Sequence, residues 1–152
     1  EFGYLGYYNQ DVGFSPFGSF DLGGDGLSGY NLYGRETIAL RGYENSSLTP
    51  YNEEGKKAGN VYEKINMELR YPISLERQAT IYVLGFVEAG NAWRNMEKFD
   101  PFYLKRSAGV GVRAFLPMFG KLGIDWGYGF DTIEGQPGAN GGQFHFVVGQ
   151  QF

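Results

Sequence analysis

The chain contains no cysteine, so neither a disulfide framework nor a thiolate metal site is open to it. No run of about 18 apolar residues occurs, which excludes a transmembrane helix. Positive charge is scarce: Lys and Arg total 13 against 17 acidic residues, for a net charge of -4. A nucleic-acid surface would be basic, so that class of partner is excluded. The single histidine, His145, has no Ser or Cys nucleophile nearby, and no serine elbow is visible. No glycine-rich phosphate loop precedes a helix, and the Asp and Glu residues lack calcium-loop spacing. The expectation is therefore no enzyme, no metal and no cofactor.

What the chain has in quantity is glycine, 25 residues, and aromatics at 18%. Disorder goes with few aromatics, so a folded protein is expected. Gly and Pro punctuate short segments throughout, which favours an all-β design. The mean hydropathy of -0.35 would be odd for a helical membrane protein. It is unremarkable for a barrel whose strands alternate lipid-facing and lumen-facing residues. The sequence begins at Glu1-Phe2-Gly3-Tyr4, which reads as part of a strand, and stops at Phe152 directly after a strong strand pattern. The expectation is the C-terminal piece of a longer protein.

Alternation defines the strands. Val61, Ile65, Met67, Leu69 and Tyr71 share one face, opposite Lys64, Asn66, Glu68 and Arg70, and Pro72 is expected to close that strand before a polar turn at 74–78. Between Ala79 and Ala89 both faces are largely apolar, with Glu88 the exception. Ala108, Val110, Val112 and Ala114 oppose Ser107, Gly109, Gly111 and Arg113. Leu122, Ile124, Trp126, Tyr128 and Phe130 oppose Gly123, Asp125, Gly127 and Gly129. Phe144, Phe146 and Val148 oppose His145 and Val147. This makes about six strands of about nine to eleven residues, the length that crosses a bilayer at a tilt. Trp93, Tyr71, Tyr103 and Tyr128 fall near strand ends, where a barrel carries an aromatic girdle. A soluble β-sandwich also alternates. Its wet face seldom holds so many glycines, since Gly weakens strands, and Asp125 and Arg113 sit mid-strand on that same face.

The segment from Leu22 to Asn60 has no clean period and is rich in Gly, Asn, Ser and Tyr. Loops this long are functional or disordered. Within it lies Leu40-Arg41-Gly42-Tyr43, an arginine held between apolar neighbours. Glu68 and Glu88 are carboxylates at polar-facing strand positions that could receive it. On the residues alone, a solvated surface arginine is the favoured reading.

Leu40-Arg41-Gly42-Tyr43 resembles the VRGF-type signature of the BamA family of outer-membrane barrels. Met67 to Pro72, Phe86 to Trp93, Arg106 to Val112 and Phe144 to Phe152 are similar to later stretches of that family, in its order. The resemblance spans most of the chain and is specific as an ordered set. It departs in Leu40 and Tyr43, which are conservative replacements, and in extra Gly/Tyr-rich residues from Gly23 to Tyr33.

The resemblance implies an antiparallel transmembrane β-barrel fragment over residues 1–152: about six C-terminal strands and a lumen-plugging loop at about 22–60. It implies that Arg41 docks on Glu68 and Glu88 with Phe86 beside it. It also implies that Phe144, Phe146, Gly149 and Phe152 carry the C-terminal strand signal at the barrel seam. The implied function is folding and inserting β-barrels into the Gram-negative outer membrane. The implied partners are unfolded outer-membrane β-barrel substrates, the lipid bilayer, and accessory lipoproteins reached through N-terminal domains outside this chain. Related secretion pores and passive barrels share much of this architecture. An isolated fragment with open edges is expected to pair edge-to-edge.

Overall fold

A computed structural model describes residues 1–6, 18–26, 35–52, 55–76, 79–117 and 120–149. Six antiparallel strands form one sheet in the order β1 (Phe2–Tyr4), β4 (Val61–Glu76), β5 (Ala79–Trp93), β6 (Lys105–Leu116), β7 (Gly120–Gly129) and β8 (Gly142–Gly149). Between β1 and β4 in sequence, β2 (Phe20–Leu22) and β3 (Glu36–Ile38) pair in parallel as a separate two-stranded sheet. Among the described residues no helix is long and apolar enough to cross a membrane.

Alternation sorts the side chains as two-residue periodicity requires. Ile65, Met67, Leu69, Tyr71, Val110, Ile124, Trp126, Phe144 and Phe146 point away from the loop and are exposed, Leu69 by 80%. An apolar face this continuous, left open, marks an interaction surface, and a lipid phase meets that need without side-chain partners. The opposite face buries Glu88, Ser107, Arg113, Asp125 and His145. The loop between β1 and β4 covers it.

Strand lengths depart from the uniform expectation. β4 runs 16 residues and β5 15, whereas β8 spans 8 and β1 only 3. Pro72 does not close β4. It stays in register opposite Tyr82, and the ladder shifts between Pro72 and Ser74 before continuing to Glu76. A bulge absorbs the missing N–H, which a proline can tolerate at such a place. β4 thus takes in Ser74, Leu75 and Glu76 of the turn expected at 74–78, and residues 77–78 lie outside the described set. At one end of the sheet two residues separate β4 from β5 (77–78) and three separate β6 from β7 (117–119); at the other, long-loop end the connections 94–104 and 130–141 and the covering loop gather.

Four aromatics were expected to form a girdle. Tyr71, Tyr103 and Tyr128 are exposed, but Trp93 is buried and packs edge-on to Phe99, with ring centroids 4.8 Å apart. The 3-10 turn Met96–Lys98 brings Phe99 back onto it.

Candidate functional site

The long loop is a small folded unit. Phe20, Leu22, Ile38, Leu40, Tyr43 and Leu48 form a core together with Tyr62 of β4 and Ala92 of β5. A two-stranded pair alone is marginal in water, so β2 and β3 depend on this packing. Each large side chain so buried contributes about 1.5–3 kcal/mol. Leu40 is bridged to Gly24 by two backbone hydrogen bonds of 3.1 Å, and Leu22 N–H donates to Thr49 Oγ1 at 2.9 Å. The stretch Leu40–Tyr43 therefore leaves a fixed platform instead of a free coil.

Arg41 meets the wall on three strands. Its backbone N–H donates to Glu88 Oε2 at 2.8 Å, and its Nε and Nη2 donate to Glu88 Oε1 at 3.2 and 2.8 Å. Nη2 also reaches Glu68 Oε2 at 3.3 Å, and Nη1 reaches Asp125 Oδ2 at 2.9 Å. The guanidinium carbon lies 3.5 Å from the centroid of the Phe86 ring. The planar fork of arginine suits this multiple carboxylate recognition, and the shelter of the site strengthens each bond. Glu68, Phe86 and Glu88 are thus placed around Arg41. Asp125 joins them as a partner the sequence reading left unassigned.

Two further cations complete the charge balance. Lys64 on β4 lies 3.5 Å from Glu88 Oε1 and donates to the carbonyl of Ala39, just ahead of the tetrapeptide. Arg113 on β6 donates through Nη1 to Asp125 Oδ1, and through Nη2 to Oδ2 at 2.6 Å. Arg41, Lys64 and Arg113 face Glu68, Glu88 and Asp125, so three positive charges meet three negative ones. Buried charges survive only when paired in this way.

Register explains how a main chain fits against the wall. One cross-strand row runs Glu68, Phe86, Gly109, Gly127, and the next runs Asn66, Glu88, Ser107, Gly129. The glycines cut a slot beside the Arg41 partners. A Cβ on Gly127 would stand 2.8 Å from Gly42 N, and one on Gly42 would stand 2.7 Å from Gly129 N. Gly42 also has φ of 86°, a left-handed conformation that a side chain resists. Two backbones touch here because neither carries side chains at the contact.

Tyr43 closes the tetrapeptide. Fully buried, it donates from its hydroxyl to Arg106 O at 2.8 Å and accepts from Asp131 N–H at 3.3 Å. Burial pushes this hydroxyl up to about 12, so it stays protonated as a donor. Its backbone bridges Asn140, and Glu44 N–H donates to Ala139 O at 2.9 Å, which ties the loop to the β7–β8 connection.

At the far edge, Phe144 and Phe146 project from β8 on the exposed face, and Gly149 is its last residue. Phe152 lies outside the described residues. His145, between the two aromatics, is buried on the covered face and accepts from Gly42 N–H through Nε2 at 2.9 Å. The signal that could have found Asp125 is its setting, a mid-strand carboxylate flanked by inward glycines, where desolvation demands a cation. The arrangement offers no nucleophile aimed at a substrate. What it can do is hold a loop against a wall, or release it.

A family model described as the Omp85 superfamily domain matches residues 1–152. Comparison with curated proteins finds no match.

Proposed function

The chain belongs to the Omp85 superfamily, and from that premise we propose that it forms the closing part of a BamA-type barrel. In this reading the intact protein folds and inserts other β-barrels into the outer membrane of a Gram-negative bacterium. Secretion pores belong to the same superfamily, so membership alone is compatible with either role. The long-loop end faces outward, because outer-membrane barrels keep short turns on the periplasmic side. The exposed aromatic and aliphatic face meets lipid, and the loop fills part of the lumen.

One observation carries the reading: Arg41 joins carboxylates on β4, β5 and β7 at once. A loop held across that many strands braces the wall while another part of the barrel opens. Substrate strands then add to the open edge by main-chain pairing, with alternate side chains setting preference. No bond of the substrate is made or broken, so the mechanism needs neither catalytic residue nor cofactor. Accessory partners would act through other domains of the intact protein.

The test is a charge swap in the intact protein. Arg41→Glu should abolish heat-modifiable barrel folding, and adding Glu88→Arg should restore part of it. Depletion of the protein should then lower many outer-membrane barrels together. Loss of one secreted protein, with barrels unaffected, would replace the insertase with a secretion pore. A silent Arg41→Glu would remove the docked loop from the mechanism.

A further inference from the structure

β8 is one of the two edge strands of the described sheet, opposite β1, and it holds the loop differently from β4, β5 and β7. β4, β5 and β7 grip the Arg41 guanidinium by charge. β8 offers no carboxylate; it offers His145, opposite Asp125 in the β7–β8 register. The bond from Gly42 N–H to His145 Nε2, 2.9 Å, joins the tetrapeptide to this strand. Two cavities border the imidazole. A cavity of about 200 Å³ lies toward Arg41, Arg113 and Val147, and one of about 300 Å³ toward Glu44, Asn45 and Phe144. His145 lines both. It is a strut between two spaces.

We propose that His145 is a positioning residue that latches the edge strand β8 to the docked tetrapeptide, so that the loop's position and the freedom of that strand are set together. The inference rests on the barrel reading above, in which this edge borders the seam. Three features support it. The donor is the backbone of Gly42, the residue already forced into the glycine slot, so the latch cannot form unless the loop is seated. The acceptor is buried, so its loss takes from the Gly42 amide the protein partner it has in the docked state. An imidazole accepts at Nε2 only when that nitrogen bears no proton, so the bond also fixes the tautomer. The contacts from Tyr43 to Asn140 and Glu44 to Ala139 hold the connection before β8, and the His145 bond lies on the strand itself.

The experiment compares the intact protein in lipid nanodiscs with two variants, His145→Leu and His145→Gln. Hydrogen exchange is followed by mass spectrometry at residues 142–149 and at the tetrapeptide. Leucine fills the space without an acceptor; glutamine supplies an oxygen at nearly the Nε2 position. Exchange over 142–149 should rise about tenfold in His145→Leu, the scale of one buried hydrogen bond, and return toward wild type in His145→Gln. β5 and β6 should keep their protection in all three. Leucine and glutamine variants that both match wild type would overturn the latch, as would two variants that loosen β8 equally. If His145→Leu fails to fold, nitrogen NMR of the wild-type protein decides: a protonated Nε2 at neutral pH rejects the proposal, and an unprotonated, hydrogen-bonded one sustains it. None of these readouts involves substrate insertion. A latch without assembly activity would sink the insertase and keep the latch, and the converse result would do the reverse.

Discussion

Arg41 from the loop and Arg113 from β6 share one buried carboxylate, that of Asp125. The loop is therefore docked onto an ion pair that the wall makes by itself. Removing Arg41 leaves Asp125 still paired, whereas removing Asp125 leaves Arg113 without its carboxylate and Arg41 on Glu88 and Glu68 alone.

That asymmetry gives the first prediction. Asp125→Asn should destabilise the intact barrel by about 3–5 kcal/mol, the scale of breaking a buried pair. Glu68→Gln should cost about 1 kcal/mol or less, because its Arg41 bond is long and Arg70 at its other side is exposed. Urea titration of heat-modifiable folding measures both. Equal costs would mean that Asp125 does not organise the cluster.

Lysine should not replace arginine at position 41. A single ammonium cannot reach Glu88, Asp125 and Glu68 together, so Arg41→Lys should lose about 2–3 kcal/mol of docking. Limited proteolysis within residues 35–52 should quicken while the strands stay resistant. A digestion pattern identical to wild type counts against the fork geometry.

Two glycines separate strain from collision. Gly42 and Gly135 both have positive φ, 86° and 76°. Only Gly42 faces a wall, since a Cβ at Gly135 meets nothing within 4 Å. Gly135→Ala should cost the conformational strain alone, about 1–2 kcal/mol, and leave the loop docked. Gly42→Ala should undock it. Thermal melts scored beside proteolysis of the loop distinguish the two.

Ser107 offers a change in the opposite direction. Its hydroxyl is buried under Gly42 without a hydrogen-bond partner among the described residues. Ser107→Ala should be neutral or stabilise by up to about 1 kcal/mol, since an unpaired buried hydroxyl is a cost. A clear loss of stability would point to a partner for that hydroxyl.

Acid should loosen the β7–β8 connection. Hydrogen bonds from Arg106 hold the Asp131 carboxyl below its ordinary range despite partial burial. A depressed folded value means the contribution is complete above the ordinary carboxylate pKa of about 3.9 and is lost as pH falls through the folded value. Hydrogen exchange over 130–141, corrected for intrinsic rates, should stay flat from pH 7 to about 4 and then rise. Asp131→Asn should show the raised exchange at every pH.

Much of this was legible beforehand. Period-two alternation fixed which residues of β4 to β8 face lipid, because one displaced residue would turn a whole apolar set inward. Arg41 with Glu68, Phe86 and Glu88 was reachable through the ordered resemblance. The loop's inner strands were not: β2 and β3 span three residues each, too short to express a period. Pro72 misled because a proline normally ends a central ladder, and a bulge is invisible in sequence. Asp125 and His145 were seen as inward-facing but left without partners, since their partners in the loop lie 84 and 103 residues away.

The glycine slot has one more consequence. Where Gly42 lies against Gly127 and Gly129, the fit records the path of a main chain and not the identity of any side chain. At this contact the wall reads only the loop's backbone. Side chains are read elsewhere, where Phe20, Leu22, Ile38 and Leu48 pack with Tyr62 and Ala92. Replacements that spare both the tetrapeptide and that small core should leave the docking as it is.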